Sequence, residues 1–426
     1  MKIFMVLTFF FLFSSAYSQT NSATAIIDTS YFYRDTVDKK PYIGSYKPTG
    51  LIVALHNALI ISNELNIEFP ELWDNSKPAM AYSKFLEYEA HLHISSGSIF
   101  KLNDRYKKDW EIILKDKRVA QIKAYDSTTF TAAGDNVDMR KIWVARINIA
   151  DGKMIWLKEF AVRHESTVSY LCISFNKDIL ILSENKRLIP LDIRMKYGRK
   201  RILFFKEASD FEHLISLSSL SDNGGLNWTK TVDFKNRFDF ESYGMAVDTN
   251  IHLLSWFSGF DKVRGKYIKH EGENGYTYNL KGDKRIKKSL INNQEALSDY
   301  ENGWTFVNTR SDSISIEKLD DKMKRVSYKV IKTPQKYSRI QALSLIDGAY
   351  YLYGHIDVKN ASFLICKFDT TFHLINSWVY NRTDRNDDIQ LTLDAQGHLT
   401  ILGKCYTKPD QNHLYEYINL VKLNLN

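Results

Sequence analysis

Two histidines one residue apart, His91 and His93, lie close to Glu87 and Glu89. Residues i and i+2 of a strand share a face, so both imidazoles would point the same way. Zinc needs three or four ligands in a closed shell. The sequence supplies no third ligand at a matching spacing, so no metal site is expected. Asp387 and Asp388 form an acidic pair ahead of an apolar run. Glycoside hydrolysis depends on the separation of two carboxylates in space, which adjacency in the chain does not supply. There is no Gly-x-Ser-x-Gly, no His-Glu-x-x-His and no phosphate-binding glycine loop. No catalytic residue and no cofactor is assigned.

Basic side chains carry more information. Between positions 186 and 206 there are Lys186, Arg187, Arg194, Lys196, Arg199, Lys200, Arg201 and Lys206 against Asp192 alone. Between 262 and 288 there are Lys262, Arg264, Lys266, Lys269, Lys281, Lys284, Arg285, Lys287 and Lys288 against Glu271, Glu273 and Asp283. The whole chain has a net charge of +8, so outside these two stretches it is slightly acidic. A local basic surface raises the concentration of an anionic partner near it. The residues expected to contact such a partner are Arg187, Arg194, Lys196, Arg199, Lys200, Arg201, Lys262, Arg264, Lys266, Lys284 and Arg285. The bland alternative is that they are solvated loop charges that favour solubility.

The amino terminus sets the compartment. Lys2 precedes an apolar run over 3–13, followed by Ser14, Ser15, Ala16, Tyr17 and Ser18. This is the form of a secretory signal with cleavage after residue 18. The run is too short for a stable membrane span, and no later run reaches the required length. Residues 19–426 are therefore expected to form one domain, exported by the Sec route to the periplasm or beyond. The three cysteines, Cys172, Cys366 and Cys405, cannot form a disulfide framework for a chain this long. A Cys366–Cys405 bridge and three reduced thiols both remain open at this level.

What must position the basic segments is a repeat. Short alternating runs of Val, Ile, Leu, Phe and Tyr argue for an all-β chain. Hairpins begin near 51, 119, 168, 242, 294, 340 and 389, mostly about 46 to 52 residues apart, which is a propeller period. After each comes a second strand–turn–strand, most of them marked by an aromatic residue: Trp110, Trp156, Trp228, Tyr328 and Trp378, with a degenerate copy ending at Tyr276. Four antiparallel strands per unit make one blade. The seventh unit stops at its third strand, 419–424, and an orphan strand lies at 28–34. The economical reading is that the orphan completes the seventh blade and closes the ring.

Two turns carry a resemblance. Asp151-Gly152-Lys153-Met154-Ile155-Trp156 resembles the turn of bacterial propeller repeats, including PQQ-like ones. Ser221-Asp222-Asn223-Gly224-Gly225-Leu226-Asn227-Trp228 resembles an Asp-box, with Asn223 where that motif usually has Asp. At the level of the blade the chain resembles secreted bacterial β-propeller repeat proteins. The resemblance implies a fold and is silent on activity. Arg187-Leu188-Ile189-Pro190 is one residue longer than the Arg-Ile-Pro motif of sialidases and sits in mid-chain, so it is set aside.

Strand direction alternates within a blade. Connections after the second and fourth strands therefore share one face. The long segments 64–98, 184–210, 259–266 and 281–289 are all expected there. The expected function is an exported, non-enzymatic binding or scaffold propeller. Its partner would be an acidic polysaccharide, another anionic envelope component or a protein. Nucleic acid is not expected. The alternative is a propeller glycoside hydrolase or polysaccharide lyase with acids in the central funnel.

Overall fold

Ile179, Leu180, Ile181 and Leu182 are consecutive, and all four are buried. Side chains alternate across a strand, so a continuous apolar run belongs to a sheet covered on both faces. Ile179 and Ile181 enter one hydrophobic cluster, with Tyr125, Ala133 and Val144. Leu180 and Leu182 enter another, with Met245, Leu253 and Tyr276. The sheet is thus packed between two neighbours. The same division holds at Leu59 and Ile61 against Ile60.

The computed structural model describes residues 21–31, 33–37, 40–53, 59–67, 94–162, 165–188, 211–232, 237–263, 266–290, 297–300, 303–309, 313–357, 362–381, 387–394, 397–407 and 415–425. The described residues form strands and turns, with no helix, so none is long and apolar enough to cross a membrane. Seven antiparallel sheets form a seven-bladed β-propeller. The inner strands are Lys40–Val53, Lys117–Ala124, Glu165–Ile173, Arg237–Val247, Leu297–Tyr300, Arg339–Ile346 and Asp387–Leu393. Seven hydrophobic clusters each join two neighbouring blades. One joins Phe100 and Leu102 of blade 1 to Ile418 and Leu420 of blade 7, so the ring is closed.

The expected closure occurs, with shifted bounds. Thr24–Tyr31 is the outer strand of blade 7, pairing Thr29 with Leu420 and Tyr31 with Ile418. Tyr33–Val37 instead hydrogen-bonds to the inner strand of blade 1. Ahead of both, Asn21–Ser22 lies parallel to the outer strand of blade 6. The start of the described chain thus ties blades 6, 7 and 1 together.

Each outer strand carries a β-bulge near its start, one residue after it begins to pair in blades 1 to 6 and two residues after in blade 7. The unpaired residues are Asp109, Ile155, Asn227, Arg285, Val326 and Ile375, and in blade 7 Ile26. A bulge increases local twist and re-aims the side chains that follow. In blades 1 to 3 the next residue is a tryptophan, and its indole nitrogen donates to the turn of the following blade. Trp110 reaches Ile149 O, Trp156 reaches Asp222 O and Trp228 reaches Leu280 O, each at 3.2 Å.

Those turns share one design. Their first residue is Asn, Asp or Ser, whose side-chain oxygen accepts backbone N–H groups, as Asp320 does from Lys322 and Lys324. The fourth residue has positive φ, or the fifth in the longer blade 2 turn from Asn148 to Gly152. Where a Trp arrives, that residue is glycine: Gly152, Gly224 and Gly282 face Trp110, Trp156 and Trp228 so closely that a Cβ would clash. In blades 4 and 5 the outer-strand position holds Ile286 and Ser327, and the next turn supplies a large residue instead. These are Met323, which reaches back against Gly275 of blade 4, and Phe372, under Lys318 of blade 5.

One expectation on the cysteines is settled. Cys366 is a free, buried thiol, so it does not bridge to Cys405. The side chain of Cys405 lies outside the described residues.

Candidate binding face

Among the described residues, one rim of the ring is uniform. It carries the first-to-second and third-to-fourth turns of the blades, including the Asp-box-like turn at 221–225. Five carboxylates there are held below the usual range: Asp126, Asp151, Asp248, Asp369 and Asp394. For Asp369, the backbone N–H of His373 and the hydroxyl of Thr371 bring it to about 2. At Asp248, burial acts in the opposite direction and is outweighed by hydrogen bonds from Asn250 N, the Tyr300 hydroxyl and His252. His252 is buried beneath them, stacked on Tyr300 at 4.7 Å. These groups lock turns and blade contacts in place.

The other rim is irregular. The second strand of blade 1 ends there at Ile67 and its third starts at Ile94. In blade 3 the corresponding ends are Leu188 and Phe211. In blade 4 the second and third strands, Asn250–Val263 and Lys266–Asn279, continue as a two-stranded ribbon. The inner strand pairs with it only as far as Gly259, and the outer strand starts pairing at Glu273. The ribbon runs on to the pair Val263 and Lys266. Residues 259–263 and 266 are therefore strand, where the sequence suggested a loop. Continuous register explains the difference, since every backbone donor facing the partner strand is paired.

The base of this rim is knit together between blades 2 and 3. Arg118 donates to Asp135 Oδ2 through Nε at 3.0 Å and Nη2 at 2.5 Å. Asp135 Oδ1 accepts Val168 N from the next blade at 3.3 Å. Ser166 donates to Asn185 Oδ1 at 2.5 Å, and Asn185 Nδ2 donates to Ser216 Oγ at 3.0 Å. Glu159 is held low first by Lys117 and then by Lys141. Deeper in, burial and then the charge of Glu184 push Tyr170 up to about 12. Burial pushes Cys172 up to about 11, so it is no thiolate nucleophile at neutral pH. Sequence reasoning missed this network. Its members are 17 to 33 positions apart and none belongs to a motif.

The described side chains of the inner strands include Leu51, Gln121, Ala246, Leu343, Ser344 and Leu391, and one carboxylate, Glu165. Among the described residues no cluster of three metal-ligating side chains occurs. His91, His93, Glu87 and Glu89 lie outside the described residues, as do the side chains of Asp387 and Asp388.

The sequence-predicted basic residues divide. Arg187, Lys262 and Lys266 are in strands that end on the irregular rim, with their side chains outside the described residues. Arg194, Lys196, Arg199, Lys200, Arg201 and Arg264 lie wholly outside them. Lys284 and Arg285 do not belong to that rim. They open the outer strand of blade 4, Lys284–Leu290, beside the turn that holds Lys281. The segment 281–289 is a turn plus that strand, where a loop after the fourth strand was expected. The misplacement has a cause. The aromatic mark is absent from this strand, which has Ile286 in its place, and Tyr276 lies in the third strand.

No family model matches the chain, and no curated protein matches it. Among solved structures, a protein of unknown function from Dyadobacter fermentans is similar, with TM-score 0.48 and 10% identity over 95% of this chain and 100% of that one. The Dos1 propeller gives TM-score 0.45 and 9% identity over 95% of this chain and 94% of that one. A prolyl endopeptidase gives TM-score 0.46 and 9% identity, covering 88% of this chain and 50% of that one. The likeness stops at the fold.

Proposed function

We propose that this chain is an exported, non-enzymatic binding propeller of the secreted bacterial repeat kind, with residues 1–18 as its export signal. Its irregular rim at blades 3 and 4 recognises an anionic partner: an acidic glycan, a phosphorylated envelope lipid or an acidic protein surface. The observation that carries the reading is the asymmetry of the two rims. One consists of short, locked turns. The other carries the ends of the long connections and the projecting ribbon of blade 4. Binding residues concentrate on loops held by a rigid scaffold. Lys262, Lys266 and Lys269 belong to the strands of the ribbon, and the two strands that flank positions 189–210 in the sequence end and begin at this rim.

The test is retention on a heparin resin. A variant with Arg194, Lys196, Arg199, Lys200 and Arg201 replaced by Ser should elute at clearly lower salt than the parent. Unchanged elution would overturn the reading. The hydrolase or lyase alternative calls for acids converging at the ring centre.

A further inference from the structure

Asn223 and Gly224 follow one another in the 221–225 turn of blade 3, and Asn223 is exposed there. Asparagine before glycine is the pair most prone to deamidation, because glycine puts no side chain in the way of its own backbone nitrogen. The chain has two other such pairs, Asn274–Gly275 and Asn302–Gly303. Asn302 lies outside the described residues. Asn274 is buried, and Gly275 is held in the third strand of blade 4 opposite Leu254. Of the two described pairs, Asn223–Gly224 is therefore the one that meets water in a turn.

The turn uses the Asn223 side chain as an acceptor. Its Oδ1 accepts Ser221 Oγ at 2.7 Å and Gly225 N at 3.0 Å. A carboxylate can accept both, and its charge strengthens such bonds. Blade 2 shows the carboxylate form. There Asp151 precedes the positive-φ Gly152 and accepts Lys153 N at 3.1 Å, the bond that does most to hold its carboxyl below the usual range. Asn223 stands in the same relation to Gly224 and Gly225, so aspartate fits at 223 without rebuilding the turn. The closed turn also restrains the reaction. Gly224 N donates to Ser221 O at 3.0 Å, and Trp156 and Lys158 of blade 2 back the glycine. The nitrogen that must attack is engaged, and the carboxamide it must reach is pinned. Reaction therefore passes through transient opening of the turn.

We propose that Asn223 is a site of spontaneous covalent modification, deamidated in the folded protein with water as the only co-reactant. In the open turn Gly224 N loses its proton and bonds to Asn223 Cγ. The Cγ–Nδ2 bond breaks, and the amide leaves as ammonia with a proton from solvent. Water then adds to a carbonyl carbon of the cyclic imide and breaks its bond to Gly224 N, which regains a proton. Addition at Cγ gives aspartate, and addition at the main-chain carbon gives isoaspartate. Nothing is oxidised or reduced. Aspartate recloses the turn and adds a negative charge beside Asp222. Isoaspartate lengthens the backbone by one carbon ahead of Gly224, which moves the glycine off Trp156. The site is on the uniform rim and does not depend on the anionic-partner reading.

The test holds the full chain in mildly alkaline buffer, with and without guanidinium, and follows it by peptide mapping that separates asparagine, aspartate and isoaspartate. In the native protein Asn223 should convert steadily and Asn274 should not. In guanidinium both should convert. Trp156→Ala should raise the native rate at Asn223 by about fivefold or more, because it populates the open turn. Asn223→Asp should melt at or above the parent's midpoint. An Asn223 that stays intact in the native protein while the denatured chain converts would overturn the proposal. Equal native rates at Asn223 and Asn274 would overturn it too, as would an Asn223→Asp variant that melts well below the parent.

Discussion

The indole of Trp156 in blade 2 lies against Gly224 in blade 3, where a Cβ would come within 3.0 Å of the ring. Gly224 has φ +79°, and Trp156 Nε1 donates to Asp222 O in the same turn. The ring and the glycine are two halves of one joint. Gly224→Ala should cost about 1–3 kcal/mol from the left-handed backbone, plus the clash. Trp156→Ala should cost about 2 kcal/mol, less than the value for a fully buried ring. The double variant should cost less than the sum, because alanine at 224 has no ring left to meet. Urea unfolding of the four proteins measures this, and strict additivity would separate the two residues.

Closure gives a second prediction. Thr24–Tyr31 completes blade 7, and Asn419 Nδ2 donates to Thr29 O at 3.1 Å. Without that strand, the third strand of blade 7 becomes an open edge. Removing 24–31 should broaden the melting transition and lower its midpoint. A truncated chain that melts as the parent does would contradict the closed ring.

Acid stability follows from the locked turns. Asp369 has a folded pKa of about 2, and Asp126, Asp248 and Asp394 are also lowered. A lowered carboxylate stabilises the fold above its unfolded pKa, and that stability is lost as pH falls through the folded pKa. The melting temperature should therefore be nearly flat above about pH 5 and fall steeply between about pH 4 and 2. Asp394→Asn, which removes the partner of Lys422 and His398, should lower the midpoint at neutral pH and narrow the gap at low pH. A variant curve parallel to the parent's would show that Asp394 is not a source of the dependence.

Cys366 is pushed up to about 12 by burial, and Cys172 to about 11. Both should resist a thiol reagent at pH 8 in the native protein and react promptly in guanidinium. Peptide mapping of the labelled sites reads the two separately. A Cys366 that stays blocked in denaturant without reductant would signal a disulfide.

Most of the fold was legible in the sequence because each blade repeats its own local rules. The Asn, Asp or Ser that opens a turn, the positive-φ residue and the strand alternation all act within a few positions. The closing strand was legible because one end lacked a strand and the other had one to spare. Its bounds were not, since Tyr31 and Tyr33 differ only in which blade's strand they meet. Lys284 and Arg285 were misread for a more specific reason. The aromatic anchor can be dispensed with where the next turn supplies its own plug, as Met323 does after Ile286, so the repeat loses its mark in blade 4. The network of Arg118, Asp135, Ser166 and Asn185 is assembled by the packing of two blades. Its residue types have no short-range signature.

The most direct measurement of the central claim compares the two rims. Calorimetric titration with a heparin oligosaccharide would be run on the parent, on the Arg194, Lys196, Arg199, Lys200 and Arg201 to Ser variant, and on Lys284→Ser with Arg285→Ser. Only the first variant should lose affinity, and binding should weaken with salt. Equal loss in both variants, or loss only on changing Lys284 and Arg285, would contradict it.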